Sequence, residues 1–503
     1  MLAKINGFTL IGLEGVPIEV EVDVSNGLPA FDIVGLADTA VKESKERIRS
    51  AIKNSGRAMP VKHLTANLAP ADVKKEGSSL DLSLAIGVLI ASGQLEADVK
   101  DIIFMGELSL DGSLRRINGV LPVLISALSL GYKKFIIPKG NEKEASFVDG
   151  IEVIAAESLR QVIDHLSGLT ALPIVEKHDY TSTACKNLYD SDLCFVKGQA
   201  VAKRALEIAV SGGHNLLFVG APGTGKTMLA KCIPTIMPDM TFEEALETTK
   251  IHSVAGALKD SDGIVFNRPF RSPHHTATMI ALAGGGIKVK PGEISLAHNG
   301  VLFLDEMPEY SRSALEVLRQ PLEDGCITVA RAAGTINYPA NFMLCGSMNP
   351  CPCGNYGSSE KVCTCTPAMI AKYKNKISGP LLDRIDIQVE VDEVKYAELT
   401  SDEKPETSET VRRRVNRTRL IQKERFKNDG ILTNSDMGAR QINKYCKLSK
   451  ECEDVLKRDY ETLNLSPRAR SRIIKVARTI ADMALYDDIR VEHVLEAISY
   501  RHN

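Results

Sequence analysis

Gly220-Ala221-Pro222-Gly223-Thr224-Gly225-Lys226-Thr227 sets three glycines, a lysine and a hydroxyl in the spacing that wraps a chain of phosphates. Glycine lets backbone amides approach phosphate oxygens, the Lys226 ammonium reaches the β and γ oxygens, and the Thr227 hydroxyl is placed to ligate Mg²⁺. That chemistry is nucleoside-triphosphate binding, with ATP as the expected ligand. Farther along, Asp305-Glu306 closes the apolar run Gly300-Val301-Leu302-Phe303-Leu304. Asp305 is expected to hold the Mg²⁺, and Glu306 to polarise the attacking water. Asn349 ends Phe342-Met343-Leu344-Cys345-Gly346-Ser347-Met348, where an amide orients that water or senses the γ-phosphate.

These groups need rigid supports. Leu216-Leu217-Phe218-Val219 reads as a buried strand before the loop, and Met228-Leu229-Ala230 continues the helix that Lys226 and Thr227 open. Several short apolar strands around a nucleotide loop imply a parallel sheet.

Length and composition limit the remaining classes. A chain of 503 residues predicts roughly three domains. With 62 basic against 64 acidic side chains the net charge is −2, so any nucleic-acid surface must be local. No stretch approaches the ~18 consecutive apolar residues of a membrane span, and Met1 to Leu13 lacks the charge and core of a secretion signal. A cytoplasmic protein with no membrane partner is expected. Four of the 11 cysteines crowd into positions 351–365, which fits a reducing compartment and one possible metal site.

The chain divides by pattern. Residues 1–168 alternate strand-like and helical stretches: Ile18-Glu19-Val20-Glu21-Val22-Asp23-Val24 alternates cleanly, and Leu80 to Ile90 is an apolar helix. Residues 169–192 are polar, carry Pro173, and read as a linker. The P-loop domain is expected over 193–395. After the hinge-like tract 401–408, residues 396–503 are dominated by helical patterns, including the basic stretch Val411 to Arg425, expected to be a solvated face.

The P-loop, Gly300 to Glu306, Ser347-Met348-Asn349-Pro350 and Gly379-Pro380-Leu381-Leu382-Asp383-Arg384-Ile385-Asp386 together resemble AAA+ ATPases related to the magnesium-chelatase motor subunit. Arg271-Ser272-Pro273-His274-His275 and Pro291-Gly292-Glu293-Ile294-Ser295-Leu296-Ala297-His298-Asn299-Gly300 narrow the resemblance to the ComM/YifB-like branch. The resemblance implies a hexameric ring motor acting on single-stranded or branched DNA, connected with branch migration in natural transformation and with recombination proteins as partners. It makes Arg384 the arginine finger that serves a neighbouring subunit, although an ion pair with Asp383 or Asp386 is the ordinary alternative. It makes Arg468, in Ser466-Pro467-Arg468, the second sensor near the phosphates, and Gln199, in Val196-Lys197-Gly198-Gln199, part of the segment contacting adenine. Two pore insertions are implied. One is Gly284-Gly285-Gly286-Ile287-Lys288-Val289-Lys290; the other is a hairpin from Cys326 to Tyr338 with Arg331 near its tip. Lys288, Lys290 and Arg331 are the DNA-binding candidates, since six copies would line a ring with positive charge.

Cys351-Pro352-Cys353 and Cys363-Thr364-Cys365 offer four thiolates for a structural zinc, although each pair has one intervening residue where zinc knuckles have two. Free buried thiols and a redox switch are the other readings. Glu76-Gly77-Ser78-Ser79-Leu80-Asp81-Leu82, Gly106-Glu107-Leu108-Ser109-Leu110-Asp111-Gly112 and Ile117-Asn118-Gly119 resemble the proteolytic domain of Lon, with Ser79 at the nucleophile's place. The corresponding base would be a lysine. Here that place is Leu121, and Arg115 and Arg116 cannot act as neutral bases.

The expected architecture is therefore an α/β multidomain chain: a Lon-protease-like α+β domain without its catalytic lysine, an AAA+ P-loop α/β domain, and a C-terminal α-helical lid. The expected activity is ATP hydrolysis coupled to DNA translocation. A chelatase-type motor remodelling a protein partner is the first rival; a Lon-like protease and an ATP-binding scaffold are more remote ones.

Overall fold

The computed structural model describes residues 2–180, 189–258, 263–286, 289–331, 334–358, 361–394, 405–462 and 466–501. The chain forms two compact units, residues 1–184 with 242–265, and residues 185–241 with 266–503.

The first unit is built on a seven-stranded mixed sheet in the order Ala30–Val34, His63–Ala69, Glu14–Ser25, Leu2–Ile11, Ile102–Phe104, Lys134–Pro138, Glu152–Ala156. Period-2 alternation decides which face is dry: Ile18, Val20 and Val22 are buried, while Glu19, Glu21 and Asp23 point to the other face. Val20 lies opposite Ile5 on one side and Leu68 on the other. The helix Asp81–Ala91 packs on these strands, and it is apolar nearly all round because it is enclosed nearly all round. Gly87 is a point of close approach, since a Cβ there would stand 2.7 Å from Val22 Cγ2.

One buried charge is handled locally. Asp81 is 1% exposed, and Arg47 on the helix Thr39–Asn54 donates to its two oxygens at 2.7 and 3.0 Å, with the Leu108 amide adding a third bond at 3.2 Å. Burial pushes the Asp81 carboxyl up to about 6, and the guanidinium opposes that shift. Arg47→Ala strands the carboxylate, so we expect a stability loss of about 3 kcal/mol in denaturant unfolding, with Arg47→Lys recovering part of it.

The stretch read as a linker begins as part of this unit: Ile174 bridges Ile154, Val175 is buried, and the His178 amide donates to Ser146 O at 3.1 Å. The helix Phe242–Ala255 also belongs here, although in sequence it falls between the P-loop and Asp305. Ser253 Oγ donates to Glu144 Oε2 at 2.8 Å and accepts from the Gly119 amide at 3.1 Å; Arg116 Nη1 donates to Leu258 O at 2.7 Å.

The second unit contains a five-stranded, all-parallel sheet in the order Phe270–Arg271, Val301–Leu304, Met343–Met348, Leu216–Val219, Ile387–Glu390. The P-loop strand lies between Met343–Met348 and Ile387–Glu390, so Leu216, Leu217 and Phe218 are buried, as parallel strands covered by helices require. The helices Ala200–Gly212, Ser408–Arg425 and Pro467–Met483 share its core. The basic helix is not the solvated face its composition suggested. Arg414 holds Glu207 at 2.6 and 3.1 Å and Glu406 at 2.8 Å, Arg419 donates to Val210 O at 2.8 Å, and Arg425 pairs with the fully buried Asp482. Arg413, by contrast, stays exposed beside Glu409 one turn away. Among the described residues, no helix is long and apolar enough to cross a membrane.

Candidate active site

The loop after Leu216–Val219 takes a phosphate-cradling shape through its glycines. Gly223 and Gly225 sit at φ +86° and +92°, where a side chain would be strained, and a Cβ on Gly220 would meet Val391 O at 2.4 Å. Lys226 begins the helix Lys226–Lys231, and its Nζ donates to Gly220 O at 2.8 Å and Ala221 O at 2.7 Å, with Asn349 Oδ1 at 3.4 Å. Burial lowers the Lys226 pKa, opposed by the charges of Asp305 and Glu306. The Thr224 hydroxyl closes the loop onto Ala221 O at 3.0 Å.

Strand order puts the acidic pair beside this loop. Thr227 Oγ1 donates to Asp305 Oδ2 at 3.0 Å, so the two residues expected to hold Mg²⁺ are in contact, and a hydroxyl with a carboxylate is a fitting donor set for that hard cation. Glu306 adopts φ +50°, an uncommon conformation for glutamate. Its backbone amide is fixed there by Asp305 Oδ1 at 3.1 Å and Ser347 Oγ at 3.2 Å, while Ser347 also donates to Asp305. Its carboxylate is half exposed. Gln199, also left-handed at φ +59°, donates from Nε2 to Thr224 O at 3.3 Å and Asp392 O at 2.5 Å, which ties the segment before the P-loop to the loop and to the edge strand.

The two arginines form a second group. Arg384 is 4% exposed; its Nη1 donates to Pro380 O at 2.5 Å and its Nη2 pairs with Glu323, rather than with Asp383 or Asp386. Arg468 stands 3.9 Å from the same Glu323, and both arginines line a cavity of about 320 Å³ with Asp383, Arg472 and Lys475. Parallel register separates this group from the P-loop. Leu216 pairs with Ile387 and Val219 with Glu390, so Arg384 precedes the near end of the sheet while Lys226 follows the far end. Strand rise alone puts about 10 Å between them. The structure therefore sets Arg468 beside Arg384, at the end of the sheet away from the loop it was expected to serve.

The cysteines converge. Sγ of Cys351 lies 3.3 Å from Cys353 and 3.7 Å from Cys363, Cys353 lies 3.6 Å from Cys363, and all four sulfurs including Cys365 fall within 4.8 Å of one another. A tetrahedral zinc with Zn–S near 2.3 Å needs sulfurs about 3.8 Å apart, whereas a disulfide needs about 2.05 Å. None of the four is in a disulfide, and the Asn355 and Thr364 amides bring the Cys353 thiol down to about 6. The cluster abuts the nucleotide loop: a Cβ on Gly354 would stand 2.6 Å from Pro222 Cδ.

Of the DNA-binding candidates, Lys288 lies outside the described residues. Lys290 is exposed on a short strand paired with Gly284–Gly285. Cys326–Arg331 and Gly334–Pro339 form the expected hairpin, with Arg331 opposite Gly334 at its end. The buried Tyr338 of the hairpin donates to Val289 O at 2.6 Å, so the two insertions are neighbours. In the first unit, the Ser79 carbonyl accepts from the Gly106 amide, and Leu121 is buried in the first turn of the helix Val120–Ser129. No base contacts Ser79 among the described residues.

Three residues near these groups carry no signal in isolation. Ser347 fixes both acids, His275 Nδ1 lies 3.7 Å from Glu306 Oε2, and Asn215 joins the P-loop strand to its neighbours. Ser347 belongs to the motif 347–350 and His275 to the motif 271–275, and those patterns are the only trace of either role in the sequence.

A P-loop, an acidic strand end and an amide on the adjacent strand of a parallel sheet define the AAA+ class of ATPase. The family description "Magnesium chelatase, subunit ChlI" matches residues 192–399, "Subunit ChlI of Mg-chelatase" matches 20–141, and "Magnesium chelatase, subunit ChlI C-terminal" matches 405–501. Competence protein ComM of Haemophilus influenzae is 43% identical over 509 residues, covering 99% of this chain and 97% of that protein. Uncharacterized protein YifB of Escherichia coli is 44% identical over 493 residues, covering 98% and 95%. Lon protease 2 of Bacillus subtilis is 26% identical over 180 residues, 32% of each chain. The chain belongs to the ComM/YifB family of magnesium-chelatase-related AAA+ ATPases.

Proposed function

We propose that this chain is the subunit of a hexameric, ATP-driven DNA motor that promotes branch migration in recombination such as natural transformation. What supports the reading most is the opposite placement of Lys226 and Arg384 on one parallel sheet: each chain holds a phosphate loop at one end and a buried arginine at the other, so hydrolysis needs a second copy. Gly220 to Thr227 hold the triphosphate, with Gln199 bracing the adenine side. Thr227 and Asp305 would hold the Mg²⁺, whose charge would offset that of the triphosphate. Glu306 takes the proton of the attacking water, Asn349 orients it, and the neighbour's Arg384 and Arg468 stabilise charge on the γ-phosphate. The segment beyond residue 396 serves as the lid that carries Arg468 to that interface. Competence is the process named for the Haemophilus relative, and Lys288, Lys290 and Arg331 supply the cations that a DNA backbone needs.

Lys288→Ala combined with Lys290→Ala is expected to weaken binding to a four-way junction and to flatten its salt dependence by about one log–log unit for each phosphate no longer neutralised. Unchanged binding moves the DNA site elsewhere. The chelatase family descriptions favour a second reading, a motor that remodels a protein partner; ATP turnover indifferent to every DNA would select it. The Lon-like unit, with Leu121 where a lysine base would stand, serves binding or ring organisation.

We assign the four cysteines to a structural zinc. Metal analysis should return one zinc per chain, released by thiol-blocking reagent into a colorimetric chelator, and Cys363→Ser should abolish it. A metal-free protein in which Cys351, Cys353, Cys363 and Cys365 all react as thiols would establish the free-thiol reading.

A further inference from the structure

Asn215 occupies the residue before the P-loop strand, and every polar group it has is used. Its Nδ2 donates to the carbonyl of Arg384 at 2.9 Å, its Oδ1 accepts from the Leu344 amide at 2.9 Å, and its backbone amide donates to Asp386 Oδ2 at 3.1 Å. Its carbonyl accepts from the amides of Asp386 at 3.0 Å and Ile387 at 3.1 Å. One residue thus joins three strands: the P-loop strand Leu216–Val219, the strand Met343–Met348 that leads to Asn349, and Ile387–Glu390, which Arg384 precedes.

A second donor reaches the same carbonyl. Arg472 Nη1 donates to Arg384 O at 3.0 Å and also holds the buried Asp386 carboxylate. Arg472 lies one turn beyond Arg468 on the helix Pro467–Met483. The Arg384 main chain is therefore clamped from the P-loop strand by Asn215 and from the Arg468 helix by Arg472. Its side chain is held by the Pro380 carbonyl four residues earlier and by Glu323, which is itself half exposed.

We propose that Asn215 and Arg472 are positioning residues for Arg384: they set where the finger stands when it serves the neighbouring subunit, and Asn215 ties that position to the strands ending in the chain's own phosphate loop and Asn349. This rests on Arg384 acting between subunits. A misplacement of about 1 Å costs up to 10²-fold in comparable sites, so loss of either clamp should be read in turnover rather than in nucleotide affinity.

Subunit mixing separates the two claims. Full-length Lys226→Ala chains lack a working loop but offer a finger; Arg384→Ala chains have the loop but no finger. Their mixture should hydrolyse ATP well above either alone, and failure here overturns the intersubunit reading itself. With that control positive, a Lys226→Ala donor that also carries Asn215→Ala should restore about tenfold less activity or lower. A donor carrying Arg472→Lys, which keeps a cation for Asp386, should also fall short. Asn215→Ala alone should lower kcat while ATP affinity stays within about twofold. Full restoration by both altered donors overturns the proposal; so does a loss of kcat matched by an equal loss of ATP binding and of melting temperature in both variants.

Discussion

Glu306→Gln should stop multiple-turnover phosphate release and leave ATP binding intact. The amide is nearly the same size as the carboxylate but cannot take a proton from water, and general-base contributions of this kind are worth about 10²–10⁴ in rate. The surrounding geometry should survive, because the bonds that hold Glu306 at φ +50° run from its backbone amide to Asp305 and Ser347. Fluorescent-nucleotide binding and phosphate release, measured on one preparation, check both halves. Turnover at the normal rate would remove Glu306 from the chemistry and make His275, 3.7 Å away, the group to examine next.

The second large effect concerns Arg384→Ala. A finger supplied from a neighbour is worth about 10³–10⁵ in comparable phosphoryl-transfer enzymes. We expect turnover to fall by that order while ATP still binds, because Pro380 and Glu323 hold Arg384 at the end of the sheet away from the loop of its own chain. The substitution removes the guanidinium that Glu323 pairs with, but Glu323 is 48% exposed and rehydrates readily. The wild-type protein should also lose specific activity on dilution, as an active site shared between copies must. Specific activity that is independent of concentration, together with normal turnover in Arg384→Ala, would make each chain a self-sufficient ATPase.

Legibility followed range in the chain. The P-loop and the Asp305-Glu306 strand end are local: each short motif, with its strand, contains the chemistry, and the contact between Thr227 and Asp305 follows from strand order in the parallel sheet. The alternation at 18–24 likewise fixes its own burial. Arg384 could be named but its partner could not, because Glu323 is 61 positions away and no periodicity connects them. The basic helix 411–425 misled for the same reason. Its arginines look solvated until Glu207, Val210 and Asp482 arrive from other helices. The helix Phe242–Ala255 has apolar residues without a clear stripe, so nothing local says which unit it joins; Ser253 and Glu144 decide that in three dimensions. Asn215 is silent in sequence since an asparagine before a strand is ordinary, and its role exists only where three strands meet.

If ATP hydrolysis by this chain drives work on DNA, the nucleic acid must change the rate of turnover. Steady-state phosphate release should be measured without DNA and with single strands, duplex and a four-way junction, using Lys226→Ala as the blank, and followed by ATP-dependent junction migration. Stimulation by single-stranded or branched DNA is expected, with junction migration that Lys226→Ala and Glu306→Gln both lose. Hydrolysis at one rate with every DNA, and no migration, would show that the motor does not act on DNA.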